Sequence, residues 1–250
     1  MFNINWFLKP KYLHGSRFFI IVLMFFNVRS TLSGSICAND SSLICDSQCL
    51  HMASFLDKSN KELGGWNERH PTIASTFLAQ KVNISIEIGV AYGGLSRYLL
   101  DHIPYLIHHG VDPFIGGYDK RDIMSKTLKK VNNHKTWSDS LLYNLRDVGC
   151  RFQLHKGLST EVVGDFLPNS VDVVFIDGDH RYEGVVADIK AYANIVRPGG
   201  MLMFDDYNVW FPGVRKAVDE FCLANGFKFV TVNENDVYII KPFDKPLITI

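Results

Sequence analysis

At 250 residues the chain is long enough for one sizeable domain with a well-filled core, and its 47% apolar and 21% charged fractions are ordinary for a soluble globular protein. Lys+Arg and Asp+Glu both number 26, so the formal net charge is zero. That balance argues against nucleic acid as the main partner, because such domains usually carry a basic excess or stripe. The local basic run from Lys126 to Lys130 reads as a solvated helix face, and a small-molecule partner is expected.

The first 33 residues differ from the rest. Lys9, Lys11 and Arg17 precede the apolar run from Phe18 to Val28, and small and polar residues follow to Ser35. A basic region, a short apolar core and a Ser/Gly-rich exit make a signal-peptide pattern, pointing to the secretory pathway. The run is about half the ~20 apolar residues that a spanning helix wants, so an uncleaved anchor, the one expected membrane contact, is the second reading. An organelle-targeting or buried segment is the third. Residues 34–60 form a polar, Cys-containing segment, and 61–250 the domain proper. Cys37, Cys45 and Cys49 fall in the former, Cys150 and Cys222 in the latter. Five cysteines leave at least one unpaired if the others are oxidised. Cys45 and Cys49 could close a small loop, and Asn39-Asp-Ser41 is an N-glycosylation acceptor pattern. Asn83-Ile-Ser85 also matches but leads into a core strand.

From there short apolar runs alternate with amphipathic segments, the signature of a mostly parallel α/β sheet. Strands are predicted at 85–89, 107–111, 152–155, 171–177 and 201–205. Helices are predicted at 94–101, 138–147, 183–196 and 214–224. Leu141, Leu142, Leu145 and Val148 give one of them an apolar face. Arg197-Pro-Gly-Gly200 reads as a turn between helix and strand. Phe227–Val232 and Val237–Ile240, split by the polar Asn233–Asp236, read as a C-terminal antiparallel hairpin.

Glu87, Gly89, Tyr92 and Gly93 lie where the first predicted domain strand gives way to a helix. Glycine there lets the backbone turn and approach a ligand, and a helix N-terminus favours an anionic group. The spacing Glu-x-Gly-x-x-x-Gly differs from the Gly-x-Gly-x-x-Gly of dinucleotide sites. Asp112, at the end of the next strand, can accept hydrogen bonds from ribose hydroxyls; it could equally start the turn into Pro113. Gly157 and Ser159 follow the third strand, where a base ring could lie, and Ser159 could cap the next helix.

The most informative block is Asp177-Gly-Asp-His-Arg-Tyr-Glu-Gly184, together with Arg197-Pro-Gly-Gly200 and Asp205-Asp206. Asp177, Asp205 and Asp206 end two neighbouring strands on the edge where open α/β sheets bind ligands. Three converging carboxylates repel one another unless positive charge lies between them. A divalent cation meets that need, and all-oxygen ligation suits Mg2+ or Mn2+ better than zinc. Helix capping and salt bridging are the alternative uses.

Over residues 80–240 this set resembles a family of class I S-adenosylmethionine-dependent methyltransferases. The family includes small-molecule and sugar O-methyltransferases such as macrocin O-methyltransferase, and catechol O-methyltransferase more distantly. The resemblance implies a Rossmann-like, seven-stranded, mostly parallel sheet with a C-terminal antiparallel hairpin and helices on both faces. It implies S-adenosylmethionine held by Glu87, Gly89, Tyr92, Gly93, Asp112, Gly157, Ser159 and Asp177. It also implies Mg2+ or Mn2+ on Asp177, Asp205 and Asp206. Relatives often carry an acidic residue where Leu158 stands here, which leaves adenine to backbone groups and Ser159. The distant relative has Asn at the last metal position, and a lysine base where this chain has His180. Histidine suits proton abstraction at neutral pH. The acceptor is then a small hydroxylated molecule, with an aromatic pocket expected from the 114–137 stretch and Tyr207, Trp210 and Phe211. A nicotinamide-dependent oxidoreductase and a non-catalytic luminal binding protein are the competing readings.

Overall fold

A computed structural model of the chain describes residues 35–38, 50, 69–91, 93–121, 134–243 and 247–248. The leader-like 1–33 segment, Asn39, Cys45, Cys49, Tyr92 and the 126–130 run lie outside the described residues.

The elements in chain order are β1 (Ser35–Cys37), α1 (Arg69–Ala79), β2 (Ile84–Ile88), α2 (Gly94–His102), β3 (Ile107–Asp112), α3 (His134–Asn144), β4 (Phe152–Lys156), α4 (Ser159–Val162), β5 (Val171–Ile176), α5 (Tyr182–Tyr192), β6 (Val196–Phe204), α6 (Pro212–Asn225), β7 (Val230–Thr231) and β8 (Val237–Ile240). They build one sheet of eight strands in the order β1-β4-β3-β2-β5-β6-β8-β7. Strands β4, β3, β2, β5 and β6 are mutually parallel, while β8 runs antiparallel to both β6 and β7. The parallel sheet and the closing hairpin are as expected.

Alternation along each strand decides which helices cover which face. Val174 and Ile176 of β5 pack with Val185 and Ile189 of α5 and Val218 and Phe221 of α6. Val173 and Phe175 of the same strand face Ile73 and Phe77 of α1 and Leu95 and Leu99 of α2. A third cluster joins α3, through Trp137, Leu141 and Leu142, to Phe152 and Leu154 of β4. With both faces covered, β5 is apolar at all but Asp172, as buried parallel strands tend to be, while β2 and β3 also bury Ser85, Glu87, His108 and His109. Helix α1, absent from the elements predicted above, has Pro71 in its first turn, where no intrahelical N–H is needed.

Several boundaries differ from expectation, among them the helix predicted over 138–147, which runs His134–Asn144. The helix predicted over 183–196 stops at Tyr192. Arg197-Pro-Gly-Gly200 forms the irregular start of β6 rather than a turn outside the sheet. The register against β5 breaks there, yet Gly199 N–H still donates to Lys241 O, and Lys241 N–H to Gly200 O. The strand predicted over 227–232 is regular only at Val230–Thr231.

The eighth strand is the larger correction, because residues 35–37 were read as part of a polar loop segment. β1 pairs antiparallel with the edge strand β4, Ile36 opposite Leu154, and Cys37 is disulfide-bonded to Cys150. Three residues with one apolar side chain form no strand by propensity; the ladder and the covalent link hold them. The buried Cys222 is free, as an odd cysteine count requires. The bond closes a sequence separation of 113 residues. Cys150→Ser is therefore expected to lower unfolding free energy by about 2–5 kcal/mol, the range for large loops. Urea denaturation of wild type and variant measures this; coincident curves under oxidising conditions would show that the link contributes nothing.

Candidate functional site

The strand order reverses on either side of β2, which lies between β3 and β5. Open sheets have their crevice at the carboxyl ends of strands around such a point, and the loop after β2 opens into it. Gly89 adopts φ +91° and its N–H donates to Val111 O at 2.8 Å. Gly93, at φ +71°, leads into α2, and Ala91 between them also has positive φ. Trp137 Nε1 donates to Ala91 O at 3.2 Å, fixing the loop from outside. Glu87 is buried, its Oε2 accepting from Ser96 Oγ at 2.6 Å and from His108 Nε2 at 2.8 Å, with Ser85 Oγ donating to Nδ1 of that ring at 2.7 Å.

Asp112 faces the same loop. Its Oδ2 accepts Ala91 N–H at 3.0 Å and its Oδ1 accepts Phe114 N–H at 2.6 Å. Burial pushes its carboxyl up to about 6, against those hydrogen bonds. Asp112 O also accepts Gly157 N–H at 3.2 Å, which brings the loop after β4 alongside. Ser159 Oγ donates to Asp188 Oδ1 on α5, and Tyr192 Oη donates to Ser159 O at 3.0 Å. Burial pushes Asp188 up to about 7. Leu158, where an acid was missing, is exposed. Residues 87–93, 112 and 157–159 thus gather at one sheet edge, with Tyr92 outside the described residues.

The acidic cluster lies next to this cradle. Asp177 N–H donates to Ile88 O and Asp205 N–H to Ile176 O, so the sheet ladder itself sets the two residues at successive strand ends. Asp206 takes φ +55°, an uncommon conformation for a side-chain-bearing residue. His180 lies in the loop before α5, with Nε2 at 3.5 Å from Asp177 Oδ1, 3.8 Å from Asp205 Oδ2 and 3.7 Å from Asp206 Oδ2. Neither ring nitrogen makes a hydrogen bond although both are buried, and the Phe211 ring packs at 4.7 Å. Burial pulls the imidazole down, but Asp177, Asp205 and Asp206 together outweigh it and hold it up at about 9.

Two groups in this cluster were not read from sequence. Arg69, the first residue of α1, reaches Asp177 Oδ2 at 2.8 Å, Asp205 Oδ1 at 3.2 Å and, through Nε, Asp236 Oδ2 at 3.3 Å. Asp236 is fully buried at the start of β8; antiparallel pairing of Phe204 with Val237 places it beside Asp205. Burial pushes Asp205 and Asp206 up to about 6 and Asp236 up to about 7, with Asp205 raising the latter two further and Arg69 opposing. Positive charge between the carboxylates is thus supplied in part by the chain itself. Four carboxylates outnumber the two cationic side chains; burial is the main cause of the raised values at Asp205, Asp206 and Asp236, and repulsion from a neighbouring carboxylate adds to it.

The donor set fits a divalent cation. Asp177, His180 and Asp205 each offer an atom, all within 4.8 Å of one another. The unpartnered His180 nitrogens point to a ligand or substrate in the same space, since buried polar atoms are normally paired. Asp206 Oδ2 lies as close to His180 as Asp205 does, while its Oδ1 accepts from Asn208 Nδ2 at 3.0 Å.

The expected aromatic pocket divides. Phe114 and Trp137 are core residues. Tyr207 is tied to Asp219 at 2.6 Å, Phe211 lies against His180, and Trp210 is 77% exposed.

Residues 86–207 match the family described as "Methyltransferase domain". A curated relative, "Uncharacterized protein R132" of Acanthamoeba polyphaga mimivirus, is 30% identical over 151 residues, covering 59% of this chain and 62% of the relative. The chain thus spans less than two thirds of that relative's length. The O-methyltransferase NovP is similar in structure, with a TM-score of 0.52 and 21% identity over 70% of this chain and 78% of that one. The O-methyltransferase TomG from Streptomyces achromogenes, solved with SAM, gives 0.53 and 11% over 80% and 92%. Cofactor-bound Rv0187 from MTB gives 0.52 and 15% over 80% and 93%. At these identities the likeness is one of fold, the Rossmann-like fold of methyltransferases.

Proposed function

We propose, from the premise that residues 86–207 form a methyltransferase domain of this fold, that the chain transfers a methyl group from S-adenosylmethionine to a hydroxyl oxygen of a small molecule, with a divalent cation assisting. The observation that carries the reading is the buried imidazole of His180, which makes no hydrogen bond and lies within 3.5–3.8 Å of three carboxylates beside the Gly89–Gly93 loop.

In this reading the loop from Glu87 through Gly89, Tyr92 and Gly93 receives the methionine end of the donor, Asp112 the ribose, and Gly157 and Ser159 the adenine. Asp112 has both oxygens engaged by backbone N–H groups, yet a carboxylate has about four acceptor sites and can take ribose hydroxyls as well. Asp177, at the meeting of loop and acidic cluster, touches both substrates' spaces. Asp177, Asp205 and Asp206 would hold Mg2+ or Mn2+, which lowers the pKa of a bound hydroxyl and orients it. His180 Nε2 takes the acceptor's proton as its oxygen attacks the methyl carbon and the sulfonium S–CH3 bond breaks, releasing S-adenosylhomocysteine. Compensation of the three carboxylates brings the ring down from about 9 toward the range where it accepts a proton near neutrality. Phe211 shields one side of the ring from water.

Tritium transfer from labelled S-adenosylmethionine to hydroxylated acceptors, with and without EDTA, tests this. Transfer is expected, and EDTA should slow it by about 10²-fold, corresponding to the several kcal/mol a metal can contribute. Transfer indifferent to EDTA and to added Mn2+ would remove the metal and leave the methyltransferase; donor binding without transfer to any acceptor would favour a binding protein. The nicotinamide-dependent alternative has no support in the loop spacing or the fold comparisons.

A further inference from the structure

The family-matched residues 86–207 contain Asp177, His180, Asp205 and Asp206, but neither Arg69 nor Asp236. We infer that Arg69 is a positioning residue of the acidic site, holding the outer oxygens of Asp177 and Asp205 so that their inner oxygens face His180 and the divalent cation. This rests on the metal reading above.

The atom pairing carries the inference. Asp177 gives Oδ2 to Arg69 Nη2 at 2.8 Å and turns Oδ1 toward His180 Nε2. Asp205 gives Oδ1 to the same nitrogen at 3.2 Å and turns Oδ2 toward His180. Each carboxylate is thus shared between Arg69 on one side and the imidazole on the other. Arg69 does not occupy the space beside His180; it braces that space from behind. The guanidinium also lies against two further groups: Nε is 3.3 Å from Asp236 Oδ2, in ion-pair range without hydrogen-bond geometry, and its carbon is 5.3 Å from the Phe175 ring centroid. Asp236 is held in turn by Asn233 Nδ2, which also reaches Thr72 of α1 at 3.1 Å.

Only a planar, permanently charged fork can serve two carboxylates with one nitrogen and a third with another while lying near a ring. Groups that orient metal ligands typically alter metal affinity by about 10–100-fold when removed. The site therefore depends on α1 and the β7–β8 hairpin as well as on the family-matched segment.

The test is Mn2+ titration of the full chain followed by electron paramagnetic resonance, with thermal unfolding and S-adenosylmethionine affinity measured in parallel. Arg69→Met should raise the Mn2+ Kd by about 10–100-fold, with donor affinity unchanged. Arg69→Lys, which keeps the charge and loses the fork, should bind Mn2+ more weakly than wild type and more tightly than Arg69→Met. A folded Arg69→Met with wild-type Mn2+ affinity overturns the inference, leaving Arg69 a purely structural ion pair. Tighter Mn2+ binding also overturns it, because Arg69 would then compete with the cation. Should Arg69→Met fail to fold, Arg69→Lys decides: a raised Kd supports the inference and an unchanged one overturns it. Wild-type protein that binds no Mn2+ overturns the metal reading and this inference together, an outcome distinct from the others.

Discussion

His180→Ala is expected to lower kcat for methyl transfer by about 10²–10⁴-fold, the range for a positioned acid or base, while leaving Mn2+ and S-adenosylmethionine binding in place. Among the described residues of the cluster, the imidazole is the titratable group whose two side-chain nitrogens are both buried without a hydrogen bond, although Nε2 lies in ion-pair range of three carboxylates. A ring that served only as packing would have a hydrogen bond for at least one nitrogen. Its proton affinity is set by the surrounding carboxylates, so the sign of the pH dependence follows. As pH falls below the ring's pKa it becomes protonated and cannot accept the acceptor's proton. The wild-type rate should therefore fall on the acid side, and the variant should lose that limb of the profile. Single-turnover rates across pH, with saturating donor and acceptor, measure both. An unchanged rate sinks the base assignment, and loss of Mn2+ binding would reassign His180 as a metal ligand.

Gly89→Ala should abolish donor binding and destabilise the fold by about 3–5 kcal/mol, combining left-handed backbone strain with overpacking. Gly89 has φ +91°, and a Cβ built there would lie 2.0 Å from Asp177 O and 2.9 Å from Gly178 Cα. Both obstacles are backbone at the end of β5, which no rotamer change can move. Relief requires β2 and β5 to part at the point where the loop after β2 meets Asp177. The strain thus falls on the proposed donor cradle and on Asp177 at once. Urea denaturation gives the stability change and calorimetric titration the donor affinity. A Gly89→Ala protein with wild-type stability and donor affinity would contradict this geometry.

How much of this was legible beforehand depended on the kind of signal. β5 announced itself because a strand buried on both faces must be apolar at every position, and Val171–Ile176 is nearly so. The carboxylates at its end and at the end of β6 followed from chain direction, since parallel strands carry their C-terminal residues to one edge. β1 gave no such signal, because a three-residue edge strand is held by its ladder and by Cys37–Cys150 rather than by pattern. The helix predicted to 196 ended early because β6 starts at Val196, pairing with Val171 of β5.

Within the site, the residues that sequence alone determined are those whose chemistry is written into a local motif: the Gly89–Gly93 turn, Asp112, Asp177 with His180 three residues on, and Asp205-Asp206. Their charges also demanded a cation between them. Which cation was a matter of tertiary structure. Arg69 stands 108 residues before Asp177 and no periodicity links the two. Asp236 looked like a turn residue until antiparallel pairing of β8 with β6 carried it beside Asp205. Local spacing fixes the groups on one strand end; only the packing of α1 and the hairpin against the sheet decides which distant charges share their low-dielectric space.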